Sequence, residues 1–148
     1  MKTKNTFWVL GHRITTAVST GNYDLVEIET PAQTPGPPPH VHQKYTEFFL
    51  VTEGEVEFML NGEKRVLKAG SSVDIPPGST HTYRNATDQP CKMVNIHSPK
   101  GFLEFFRTIG VSEGIAQAKE SSVSQQAIEK VMEVSQQFDI EFQKAEVQ

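Results

Sequence analysis

Cysteine occurs once in the 148-residue chain, at Cys91. A single thiol excludes an intrachain disulfide, and such sparing use fits a reducing compartment, so a cytoplasmic location is expected. Long apolar runs are also missing, and nothing approaches the roughly 18 residues that a membrane span requires. The N-terminal apolar run, Phe7 to Leu10, is too short for the hydrophobic region of a secretory signal. Clustered Lys and Arg are absent too. The formal charge is −4 and no basic stripe is present, which argues against nucleic acid as a partner. What remains is 36% apolar and 22% charged, the composition of a soluble globular domain long enough to bury its own core.

From residue 7 to 97 the chain reads as short strands broken by turn signals. Arg13 to Val18 and Tyr23 to Glu29 are β-rich runs joined by STGN. TPAQTPGPPP (30–39) cannot be a central strand, because proline lacks a ladder donor. EFFLVTEGEVEFML reads as two strands about Gly54, and Asn61-Gly62 predicts a type I′ hairpin into EKRVLKA. AGSSVDIPPGSTHTYRN and CKMVNIHS supply further strands. Many short antiparallel strands at regular spacing predict an all-β sandwich or barrel. The tail differs. GFLEFFRT (101–108) is expected to make one or two helical turns, and residues 112–126 a mobile connection. A helical pattern then puts Ile128, Val131, Met132 and Ser135 on one face.

Chemistry concentrates in PPPHVHQKYTEF (37–48). On a strand, residues two apart share a face, so His40 and His42 aim together, as a divalent metal requires. Glu47 lies an odd step from His42, and a break at Gln43-Lys44 is needed to turn it inward. The preceding prolines stiffen the approach. A third imidazole, His81, follows the Pro76-Pro77-Gly78 turn.

Together these two stretches resemble the paired motifs of the cupin superfamily. Gly36, His40-Val41-His42, Glu47 and Gly54 follow the first motif, with three residues rather than five between Gly36 and His40. Gly70, Pro76, Gly78, His81 and Asn85 follow the second at every step. The resemblance covers residues 20–108. It implies a cupin-type jelly-roll β-barrel with a short C-terminal helical segment, and one divalent transition metal (Mn, Fe, Co, Ni, Cu or Zn) held by His40, His42, Glu47 and His81. The barrel domain is expected over 1–110, with core motifs at 36–54 and 70–85, and a helical tail over 111–148. Gly54, Gly70 and Gly78 are read as turn glycines and Asn85 as a strand end. His12 and His97, outside both motifs, are read as solvated or hydrogen-bonded histidines, and Cys91 as a passive buried thiol.

Alternation from the ligands nominates a pocket. Phe49 and Val51 share the face of Glu47, Tyr83 shares that of His81, and Phe58, Met93 and Asn95 are further candidates. This apolar, aromatic lining suits a flat organic molecule, unless the same side chains simply fill the core. GPPPHVHQKYTEFFLVTEGEVEFML and NIHSPKGFLEFF are similar to small single-domain cupins related to quercetin dioxygenase. That similarity implies a metal-dependent dioxygenase acting on a flavonol-like or other small aromatic or enolic substrate, with dioxygen as co-substrate and Glu47 as catalytic base. The alternatives are a non-catalytic metal- or ligand-binding cupin and a cupin isomerase or decarboxylase. An enzyme acting on a small acid needs a pocket cation, and only Arg84 and Lys92 lie near the motifs. A homodimer is expected, formed by pairing of the unanchored Phe7–Leu10 strand across a two-fold axis.

Overall fold

The computed structural model describes residues 5–143. Alternating apolar residues build β1 (Thr6–Val9), β2 (His12–Thr16) and β3 (Asp24–Thr30); β4 (His40–Val41) and β5 (Thr46–Glu53) carry the first motif. Then come β6 (Glu55–Leu60), β7 (Glu63–Lys68), β8 (Ser72–Ile75), β9 (His81–Arg84) and β10 (Cys91–Ser98). The tail adds α1 (Leu103–Ile109), β11 (Val111–Ser112), α2 (Ala118–Ser121), α3 (Gln125–Val134), a 3-10 turn at Ser135–Phe138 and β12 (Glu141–Phe142). The strands form two antiparallel sheets, ordered β11-β1-β2-β3-β10-β5-β8 and β12-β4-β9-β6-β7. Their inner faces enclose one apolar core that includes Ile14, Phe49, Phe58, Ile75 and Met93. The chain is all-β with a short C-terminal helical segment.

Turn chemistry follows the sequence closely. Asn61 and Gly62 both have positive φ (50° and 81°), as a type I′ turn between β6 and β7 demands. Gly36 has a different reason to be glycine: a Cβ there would lie 1.5 Å from the Tyr83 carbonyl oxygen. The 30–39 connector therefore presses directly on β9. Asn85 closes the same region, donating to the carbonyls of Thr30, Pro31 and Gln89.

Three expectations are corrected. The Phe7–Leu10 strand is not unanchored: β1 pairs with β2 on one edge and with β11 on the other, which removes the ground on which a two-fold pairing was expected. Residues 112–126 are built into the fold rather than loosely connecting it. Ser112 pairs with Phe7, Ala118 and Ser122 are buried, and Ser122 Oγ accepts from the Gly11 amide. On α3 the buried residues are Val131 and Val134, whereas Ile128 and Met132 are exposed. The helix rests on α1, so Val131 and Ser135 are buried as the pattern expected, but Val134 takes the place of Ile128 and Met132 on the inner face.

Candidate metal centre

β4, β5, β9 and β10 deliver the site. His40 on β4 lies opposite His81 on β9, and Glu47 on β5 lies opposite His97 on β10. His40, His42, Glu47 and His81 are all buried, and one ligand atom from each falls within 4.8 Å of the others. Glu47 Oε2 is 2.8 Å from His81 Nε2 and 3.3 Å from His42 Nε2.

The other ring nitrogens fix the tautomers. His40 Nδ1 lies 2.8 Å from the Pro38 carbonyl, His81 Nδ1 3.0 Å from that of Ser79, and His42 Nδ1 2.8 Å from that of Asp139. A carbonyl oxygen only accepts, so each Nδ1 carries the proton in the neutral ring and each Nε2 offers a lone pair to the cluster. With all three rings neutral, as metal binding requires, three imidazole lone pairs and a carboxylate oxygen face one another out of water. Glu47 Oε2, His81 Nε2 and His97 Nε2, though close to one another, have no hydrogen-bond partner among the described residues. Buried acceptors without donors are costly, and a divalent cation shared by the first two removes their cost. The donor set, three imidazoles and one carboxylate, fits a first-row transition ion with open positions.

Glu47 is held on its far side as well. Asn95 Nδ2 donates to Oε1 at 3.1 Å, and His97 Nε2 lies 3.1 Å from the same oxygen. Burial by itself raises the Glu47 carboxyl, but the surrounding imidazoles, His97 foremost, outweigh it and hold the group well below the usual carboxylate range. Burial pulls His97 itself below the ordinary histidine value, against the opposing pull of Glu47. Burial likewise lowers His40 to about 4, assisted by the neighbouring His81. At His42 burial also pulls downward, but the hydrogen bond and charge of Glu47 prevail and raise it.

The cluster opens into a cavity of about 70 Å³, where one water needs about 10–15 Å³ on the same measure. Of the nominated pocket residues, Phe49, Tyr83 and Asn95 line it. Val51, Phe58 and Met93 do not. They are fully buried beyond the layer of Phe49 and Tyr83, whose rings sit 5.0 Å and 5.7 Å from that of Phe58. Two residues along a strand is roughly 6.6 Å, enough to move a side chain from the ligand layer into closed core.

The remaining walls come from residues the sequence did not nominate. α1 and its approach supply Phe102, Phe105 and Phe106, and the tail supplies Val131, Ile140 and Phe142. His97 stacks on Phe102 at 3.9 Å and 13°. Its signal was available: β10 alternates strictly, so His97 shares the inward face of Met93 and Asn95. His12 also reaches the cavity but is satisfied. Nε2 donates to the Pro35 carbonyl (3.0 Å), Nδ1 accepts from Thr30 Oγ1 (2.8 Å), and burial lowers the ring to about 4. Cys91 is buried.

A family model for the cupin domain matches residues 26–97, the span that holds all four clustered side chains. The chain carries a cupin domain. This cupin is 34% identical over 71 residues to quercetin 2,3-dioxygenase of Bacillus subtilis, which covers 48% of the chain and 21% of the relative. The first curated relatives are matched over only 21% to 50% of their own length. Among solved structures it is similar to KdgF from Halomonas sp. (TM-score 0.57, 23% identity, 62% of this chain and 81% of that one). It is also similar to Pac13 from Streptomyces, described as a nucleoside dehydratase (TM-score 0.55, 18% identity, 65% and 76% covered). These likenesses show the fold.

Proposed function

We propose that this cupin is a metal-dependent dioxygenase acting on a small aromatic or enolic substrate, with His40, His42, Glu47 and His81 holding the metal. The observation that carries the reading is the convergence of three Nε2 lone pairs and Glu47 Oε2 beside an apolar, aromatic cavity. A divalent transition ion bound there supplies Lewis acidity and open positions for substrate and dioxygen. The chain's own residues do the rest. Phe49 and the α1 aromatics exclude water and take a flat ring. Glu47 Oε2 faces the cluster, and on leaving the ion it is the oxygen placed to accept the proton of an enolic hydroxyl, while Asn95 donates to Oε1 and His97 lies against it. Tyr83 lines the same cavity, and burial raises its phenol, so it serves as a neutral hydroxyl donor to substrate.

The cavity walls carry no Lys or Arg among the described residues. Arg84 instead pairs with Glu57, and Lys92 with Glu53. That supports a neutral or enolic substrate over a small acid or a sugar phosphate. The test is oxygen uptake by protein loaded separately with Mn, Fe, Co, Ni and Cu, across a panel from single-ring enols to flavonols. Uptake that tracks metal content and disappears in Glu47→Gln supports the proposal. No uptake with any metal removes it and leaves a binding role. A homodimer and a cytoplasmic location belong to the same proposal, and the mass by light scattering tests the first.

A further inference from the structure

The most distant hydrogen bond made by a clustered imidazole runs to the tail. Asp139 sits 97 positions from His42, yet its carbonyl receives the His42 Nδ1 proton at 2.8 Å. Its carboxylate does something separate. Oδ1 accepts from the Gln43 amide (3.0 Å) and Oδ2 from those of Lys44 (2.7 Å) and Tyr45 (3.3 Å). Those three amides form the break between β4 and β5, the irregularity that turns Glu47 inward. One residue therefore orients one imidazole and fixes the approach of the carboxylate.

Asp139 can do both because its backbone is left-handed (φ 58°, ψ 44°), a conformation Asp tolerates better than most residues. From there the chain runs on as β12. Glu141 pairs with Val41, Phe142 with His40, and the Gln143 amide donates to the Pro39 carbonyl. The strap 139–143 thus lies against residues 39–45 of the first motif.

We propose that Asp139 is a positioning residue of the metal centre, and that docking of the 139–143 strap and metal uptake are one coupled equilibrium. The inference rests on the metal reading of the site. Metal binding requires His42 Nε2 to be free and aimed, which the Asp139 carbonyl secures. By linkage, the metal must in turn hold the strap. Partners in this position typically change metal affinity ~10–100-fold when removed.

The test uses cobalt(II) and the full chain, in two arms. In the first, a chromophoric chelator competes for cobalt with the wild type, Asp139→Asn and Asp139→Ala. Asp139→Ala should bind at least ~10-fold more weakly with an altered cobalt absorption spectrum, whereas Asp139→Asn, which keeps an acceptor and tolerates the left-handed backbone, should recover most of the affinity. The second arm needs no variant. Amide hydrogen exchange at Gln43, Lys44, Tyr45 and Gln143 should slow on adding cobalt, while the β1–β2 hairpin stays unchanged. Wild type that takes up no cobalt overturns the metal reading and the coupling with it. Wild type that binds cobalt, with Asp139→Ala equally tight and strap exchange unmoved, overturns the coupling alone.

Discussion

His97 faces Glu47 across the β5–β10 ladder, its Nε2 3.1 Å from Oε1, while Oε2 of the same carboxylate points at His42 and His81. The two oxygens of one side chain are thereby given different work. Replacing His97 by alanine should leave one metal per chain but weaken it by ~10–100-fold, because Glu47 loses one of its two outer partners. Asparagine or glutamine should restore part of the loss. Chelator competition measures both, and an affinity unchanged in His97→Ala would show that Asn95 suffices.

His40→Ala and His81→Ala should abolish stoichiometric metal, read by elemental analysis of the purified protein. Metal that binds only the folded state also stabilises it, by about 2.7 kcal/mol at a hundred times the dissociation constant. The melting temperature of the wild type should therefore rise on metal addition, and those of the two variants should not.

Asp24 supplies a test by pH. Its carboxylate, 5% exposed, accepts from the Gly101 and Leu103 amides and pairs with Lys100, so it clamps the start of α1 to β3. Burial pushes the group upward, but these donors win and its value lies below the ordinary one. A depressed carboxylate stabilises the fold above its unfolded value and loses that contribution as pH falls through the folded value. Asp24→Asn should cost about 1–2 kcal/mol at neutral pH, and nothing once the acid group is protonated in both states. Urea unfolding of both proteins from pH 7 to 2 reads the convergence. Parallel curves would count against the clamp.

Gly36→Ala should be among the most damaging substitutions outside the cluster. The added carbon meets the Tyr83 carbonyl at 1.5 Å, and backbone on both sides must move. A loss beyond ~4 kcal/mol, or no folded protein, is expected. Recovery of stable protein with full metal affinity would mean that the connector shifts freely.

The sequence was most legible where chemistry imposes spacing. His40, His42, Glu47 and His81 lie at motif intervals, and the structure brings them together. The turns at Gly54 and at Asn61-Gly62 were readable because positive φ restricts residue choice. Alternation nominated Phe49, Val51 and Tyr83, with Phe58, Met93 and Asn95 as further candidates, but could not say how deep the cavity runs: Phe49, Tyr83 and Asn95 line it, and Val51, Phe58 and Met93 lie one layer beyond. His97 was readable by that same alternation, but it lies outside both motifs. The tail was least legible. Its role rests on two-residue strands and on contacts almost a hundred positions apart, which local pattern does not encode.

Of the three carbonyls that orient the clustered imidazoles, those of Pro38 and Ser79 lie only two residues from the rings they serve. The third is made 97 residues after its histidine. At about 5–20 residues per second, a ribosome needs roughly 5–20 s to add that stretch. A nascent chain therefore carries the orienting carbonyl of His40 beside its ring while that of His42 has still to be made. For the metal centre proposed above, the full set of ring orientations cannot be complete before translation has passed Asp139.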